Sequence, residues 1–334
     1  MVGELVRKGT LFLLAVASLT AATSQAAGPG LGSENLLGLP APQDPRHPGA
    51  LVLHGGGRIT GDVFDRFIEL AGGKNAHIVL VPSAGFRRAD YSSDESFAAA
   101  VKARYSSWAY LPANGHVASF RFLATDDPDD SDREKFVEPL QRATGVWFSG
   151  GFQNRLNYRY VGRFPEQTRF QQALHKVLER GGVVGGTSAG MAALPEIMTL
   201  WQDRETTEGP CSVVAAHGFG LLTGAIVEQH FDGYGGRLER FTGLLRDSSA
   251  LDSLAQRKGA GRKMLGLAVE ERTALVVQPD RLQVLGSGSA HVFVKSPAGR
   301  TISWHELAPG ERAQLLRDVA GTPIVRRDEA PPQR

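Results

Sequence analysis

Apolar residues in this chain come in short runs closed by glycine-rich corners, and these alternate with stretches of helical period. Ala50–His54 (ALVLH) is a continuous apolar run that predicts a buried first strand, closed by Gly55-Gly56-Gly57. Val63, Phe64, Phe67, Ile68 and Leu70 recur at helical spacing across Asp62–Ala71. Ile78–Val81, Val117–Leu123 and Val146–Ser149 predict further strands, the last followed by Gly150-Gly151. Glu95–Tyr105 and Phe164–Arg180 read as helices, and Val183-Val184 as the end of another buried strand. Ala225–Val227 and Leu265–Val269 predict strands around a helix at Leu238–Leu245, with Leu251–Lys263 an extended loop or ragged helix. Thr273–Val277, Leu282–Leu285 and His291–Lys295 are short alternating runs that predict an antiparallel addition. Strands joined by helices of about 10–15 residues imply βαβ units and a mostly parallel sheet. Functional loops then belong at the carboxyl ends of the strands.

One corner stands out. In Gly182–Leu194, Gly186-x-Ser188-x-Gly190 fits the nucleophile-elbow pattern G-x-S-x-G, with a strand before it and helix formers after it. Such a turn exposes the serine hydroxyl and sets it beside a helix N-terminus whose N–H groups can face an oxyanion. A plain Gly/Ser corner carries the same letters, so the partners decide.

Composition narrows the class. The 334 residues, 42% of them hydrophobic, describe an ordinary globular chain. A net charge of +2 gives no electrostatic case for nucleic acid. Arg7 and Lys8 precede the apolar run Leu11–Leu19, and Ser24-Gln25-Ala26 resembles a cleavage site, so residues 1–26 read as a signal peptide. That run is too short to span a bilayer, so no membrane association is expected after cleavage. Residues 27–49, rich in proline and glycine, read as a linker, 50–325 as the catalytic domain and 326–334 as a loose tail. Cys211 is the single cysteine, so no internal disulfide is available to an exported chain. The acidic stretch Thr125–Asp132 lacks the glycine of a Ca²⁺ loop and reads as a solvated turn that caps the next helix.

A nucleophilic serine needs a base and a group that orients the base. His230 closes a strand just after Gln229, which puts it on the edge that carries Ser188. Glu270 and Glu271 also end a strand; successive residues face opposite ways, so one of the two can reach the site, and alternation does not choose. Backbone N–H groups of Ala189 and of Gly151 are the candidate oxyanion donors. The histidines show no metal-ligand spacing, and neither Gly55-x-Gly57 nor Gly218-x-Gly220 completes a dinucleotide fingerprint, so no metal and no cofactor is assigned.

Four blocks together carry a resemblance: Gly150-Gly151-Phe152-Gln153, Gly186-Thr187-Ser188-Ala189-Gly190, Glu228-Gln229-His230-Phe231 and Gly266–Leu275 with its Glu270-Glu271. In this order, between Ala50 and about Val294, the set resembles the cyanophycinase group of the S51 serine peptidases. The resemblance implies an α/β, flavodoxin-like (class I glutamine amidotransferase-like) fold with a small antiparallel C-terminal extension. It implies Ser188 as nucleophile, His230 as base and Glu271 as third member, with Gln153, Gln229, Arg237 and Arg240 lining the substrate pocket. The order Ser…His…Glu differs from that of lipases and esterases. Phe152 and Glu228 depart from the acid and the Asp usual at those places, and Gly233–Gly236 replaces an expected arginine. The implied substrate is cyanophycin, a poly-aspartate backbone with arginine on each β-carboxyl. Aspartyl or β-aspartyl dipeptides, an inactive peptide-binding module and an esterase are the alternatives. A homodimer is compatible with this reading.

Overall fold

The computed structural model describes residues 35–200, 214–231, 236–296, 299, 301–318 and 321–328. The expected signal peptide, Cys211 and residues 232–235 of the turn after His230 lie outside them. In chain order the strands begin with β1 (Ala50–His54), β2 (His77–Val81), β3 (Ser119–Phe122), β4 (Gly145–Phe148), β5 (Val183–Thr187), β6 (Ile197–Leu200) and β7 (Val214–His217). They continue with β8 (Ala225–Glu228), β9 (Leu265–Val269), β10 (Thr273–Gln278), β11 (Arg281–Gly286), β12 (Ala290–Lys295), β13 (Ile302–Leu307), β14 (Arg312–Arg317) and β15 (Pro323–Arg327). The helices are α1 (Gly61–Leu70), α2 (Asp94–Arg104), α3 (Ser106–Ala109), α4 (Glu134–Arg142) and α5 (Gln153–Tyr160). After them come α6 (Arg169–Glu179), α7 (Ala189–Ala192), α8 (Arg237–Arg246), α9 (Ser248–Ala255) and α10 (Ala260–Lys263).

Among the described residues the main sheet runs β15-β14-β11-β10-β1-β5-β4-β2-β3. From β1 to β3 every pairing is parallel, as the βαβ pattern predicts. Alternation along β1 sends Leu51 and Leu53 into one core and Ala50 and Val52 into the other. The helix α1 covers the second core with Val63 and Phe67, against Trp108 and Trp147. The amphipathic α6 covers the first with Phe170, Leu174, Val177 and Leu178.

The antiparallel part is larger than the short alternating runs suggest. β10, β11, β14 and β15 extend the main sheet from β1, while β13-β12-β9-β8 form a second sheet. β13 and β14 escape the hydrophobic pattern because their sequences, ISWHEL and RAQLLR, are half polar. β15 carries Arg326 and Arg327, so the chain is still paired where a loose tail was expected. The expected linker also joins the body. Leu37 and Leu39 are buried in the main core, and Leu37 O accepts from Gly224 N–H at 2.9 Å. Neighbouring glycines and prolines hide this pair from any periodicity.

The helix expected from Phe164 begins only at Arg169. Thr168 caps it, accepting from Gln171 N–H at 3.1 Å, while Gln171 Oε1 accepts from Thr168 N–H at 3.1 Å. The acidic turn caps itself and α6 rather than the next helix: Asp127 accepts from Asp129 N–H at 3.0 Å and Asp132 from Arg169 N–H at 2.8 Å. The stretch after Leu245 resolves into α9 and α10, where Asp252 accepts from the N–H groups of Gly259 and Gly261 at 2.7 and 2.6 Å. No described helix is long and apolar enough to cross a membrane.

Candidate active site

Two pairs of parallel strands aim their carboxyl ends at one place. β1 and β5 come from the main sheet, with His54 beside Thr187. β8 and β9 come from the second sheet, with Glu228 beside Ala268. The sequence places Ser188 and His230 on one sheet edge; in the structure they leave different sheets whose edges meet. Glycines after β1 make the join. His230 N–H donates to Gly55 O at 2.8 Å, Arg272 N–H to Gly56 O at 2.8 Å, and Gly55 N–H to Thr273 O at 3.0 Å. A Cβ on Gly56 would lie 2.1 Å from His230 Cε1, so only a glycine lets the imidazole sit there. The Gly55–Gly57 signal was visible in the sequence as a turn, yet it is a wall of the site.

The elbow forms as its glycines require. A Cβ on Gly186 would lie 2.4 Å from the carbonyl carbon of Gly190, which fixes the close strand-to-helix approach. Ser188 takes φ 54° and ψ −116°, and its N–H donates to His54 O at 2.9 Å. Four described non-glycine residues have positive φ, and Ser188, His230 and Arg272 are three of them. Each such backbone costs about 1–3 kcal/mol and persists where surrounding contacts over-determine it.

These turns bring three side chains into line. Ser188 Oγ lies 2.6 Å from His230 Nε2, and His230 Nδ1 lies 2.7 Å from Glu271 Oε1. With Glu271 accepting from Nδ1–H, Nε2 is the acceptor for the serine hydroxyl. Glu270 points elsewhere: it accepts from Ser289 N–H at 2.8 Å and from His291 Nε2–H at 3.1 Å. His291 Nδ1 in turn accepts from Trp304 Nε1–H at 2.9 Å. The left-handed Arg272 that follows the two acids ends the strand alternation which left them undecided.

His54 underlies this chain, with Nδ1 2.6 Å from Thr187 Oγ1. Burial, and after it the nearby His230, holds its pKa down to about 4. A neutral His54 adds no charge against an imidazolium forming at His230.

The other expected residues divide. Gly150 stands by the nucleophile, since a Cβ there would lie 3.4 Å from Ser188 Cβ. Gly151 is exposed and Ala189 is buried at the start of α7. Gln153 is buried and spends its amide on Thr199 O at 2.8 Å. Gln229 is fully buried, and neither its Oε1 nor its Nε2 is hydrogen-bonded among the described residues. Arg237 and Arg240 both hold Glu228, donating to its Oε1 at 2.5 and 2.7 Å. Arg237 also donates to Gln229 O at 2.7 Å, so the cluster braces the strand end that carries His230. Burial raises the Glu228 pKa against the pull of the two arginines. Among the described residues no group of three or more His, Cys, Asp or Glu is placed to hold a metal ion.

The model of peptidase family S51 matches residues 51–285, which includes every residue of this site. The chain belongs to peptidase family S51. Curated relatives of this S51 peptidase include a cyanophycinase of Synechococcus elongatus, 28% identical over 250 residues, covering 74% of this chain and 68% of the relative. A cyanophycinase of Geminocystis herdmanii is 26% identical over 232 residues, covering 69% of this chain and 74% of its own. The crystal structure of a peptidase from an acI-B1 Actinobacterium superposes with a TM-score of 0.54 at 20% identity, covering 80% of this chain and 97% of that one, and supports the fold. The S51 peptidase is thus a serine peptidase of the cyanophycinase type.

Proposed function

We propose that this peptidase cleaves aspartyl peptide bonds of the kind found in cyanophycin through an acyl-enzyme on Ser188. His230 Nε2 takes the hydroxyl proton as Ser188 Oγ attacks the carbonyl carbon, and Glu271 stabilises the imidazolium. The proton then passes from His230 to the leaving amine, the C–N bond breaks, and water attacks the ester with the same base. The N–H groups of Gly151 and Ala189 are the donors for the oxyanion. What carries this reading is the two-bond chain of 2.6 and 2.7 Å linking Ser188, His230 and Glu271. Export follows from Arg7, Lys8 and the apolar Leu11–Leu19. A second reading, hydrolysis of short aspartyl or β-aspartyl peptides, is favoured by Phe152, which stands exposed beside the glycines of the site.

The test is product release from cyanophycin and from a panel of β-aspartyl dipeptides, read by mass, with wild-type protein and Ser188→Ala. Release of β-Asp-Arg by wild type alone is expected. Equal release by both proteins contradicts the serine role. Release from dipeptides alone selects the second reading.

A further inference from the structure

Beyond Gly151 the surface opens into a cavity of about 510 Å³ whose lining includes Arg87, Asp126, Phe152, Arg155, Tyr158 and Arg159. It starts two residues from Gly150, the glycine that packs on Ser188. Arg155, Tyr158 and Arg159 share one face of α5, at the i, i+3 and i+4 positions of a helix. The three guanidiniums are not equivalent. Arg159 is buried, pairs with Asp126 and donates to Ser83 O and Phe86 O, so it is fixed. Arg87 pairs with Asp90. Arg155 makes no ion pair among the described residues: it donates to Ala84 O at 3.2 Å and lies 4.5 Å over the Phe152 ring. Its burial, then the charges of Arg159 and Arg87, pull its pKa down against the opposing pull of Asp90 and Asp126. Phe152 and Tyr158 are 61% and 66% exposed and both line the cavity, the Phe152 ring lying against this cation. Exposed rings and a guanidinium without an ion-pair partner among the described residues, on the segment that follows Gly150, are the features of a recognition surface, not of an ordinary solvated face.

We propose that this cavity is a specificity subsite that takes a carboxylate of the peptide lying across Ser188, with Arg155 as its anchor and Phe152 and Tyr158 packing the adjoining chain. The subsite rests on the reading of Ser188 as nucleophile and names the substrate class: peptides with an acidic group next to the scissile bond. Charge decides the sign. Two of the three cations already have carboxylate partners, which leaves the Arg155 guanidinium to receive a substrate anion. The carboxylate comes from an acidic side chain or from a free C-terminus.

The experiment is calorimetric titration of full-length Ser188→Ala protein, which cannot turn substrate over, with aspartyl dipeptides. Four are compared: Glu or Gln in the second position, each with a free or an amidated C-terminus. The carboxylate form binds about tenfold or more tightly than its amide in one comparison, and that comparison identifies the source. Arg155→Ala in this background removes the preference, and Arg155→Lys, which keeps the charge but not the planar fork, restores part of it. Melting curves of both variants confirm that the fold persists. Equal affinities for acid and amide, a preference that survives Arg155→Ala, or binding of none of the four overturns the subsite. Hydrolysis by wild-type protein of the same peptides is scored separately. Absence of turnover with intact acid-selective binding refutes the catalytic reading and leaves the subsite standing.

Discussion

Replacing Gly56 by alanine probes the site at its tightest contact. The new methyl would lie 2.1 Å from Cε1 and 2.5 Å from Nδ1 of His230, against 3.4 Å for an ordinary contact. The imidazole must retreat by about 1.3 Å to restore 3.4 Å from 2.1 Å. The backbone of His230 cannot follow freely, because its N–H is tied to Gly55 O at 2.8 Å. The ring is held on both sides by bonds of 2.6 and 2.7 Å, and such a shift takes at least one of them outside hydrogen-bonding range. A misplacement of about 1 Å costs about 10²-fold in rate, so kcat/KM on a peptide substrate should fall by roughly that factor. Gly56 also has φ 136°, which alanine rarely adopts, so some loss of melting temperature accompanies the loss of rate. Labelling of Ser188 by a fluorophosphonate should slow in parallel. Gly61→Ala is the control, since nothing lies within 4 Å of its Cβ. A folded Gly56→Ala protein within about twofold of wild-type activity refutes the reasoning.

The paired acids separate by role. Glu271→Gln lowers kcat by about 10²–10⁴, less than for a fully buried acid because the Glu271 side chain is 36% exposed. Glu270→Gln leaves kcat within a few fold and destabilises by about 1–3 kcal/mol through its bonds to Ser289 and His291, measured by urea unfolding. His54 takes a proton near pH 4 when folded and near 6.5 when unfolded, so the unfolded chain holds more protons between those values. Its contribution is therefore intact above about 6.5, and stability falls by about 3 kcal/mol as pH drops towards 4; His54→Gln should flatten that slope. Leu37→Ala should cost about 2–5 kcal/mol in urea unfolding, a loss that an unpacked linker would not show.

The elbow was legible because the steric demand on Gly186 and Gly190 leaves a fixed spacing in the letters. The parallel strands were legible for a similar reason: β1, β4 and β5 are buried on both faces and read as apolar runs. Sheet membership was not legible, because β8 and β9 have the same apolar character as the main-sheet strands. The choice between Glu270 and Glu271 depends on the left-handed turn at Arg272, which no residue type announces. The bracing of Glu228 by Arg237 and Arg240 is likewise a tertiary fact, since the chain separates them by most of a turn and the start of α8. Polar alternation hid β13 and β14, and glycines hid the burial of Leu37.

The central claim is that Ser188 is a nucleophile activated by His230. Mass spectrometry of protein treated with a fluorophosphonate tests it most directly. The account predicts one adduct, on the peptide containing Ser188, that vanishes in His230→Ala. An adduct on another residue, or a Ser188 adduct of equal yield in His230→Ala, contradicts it.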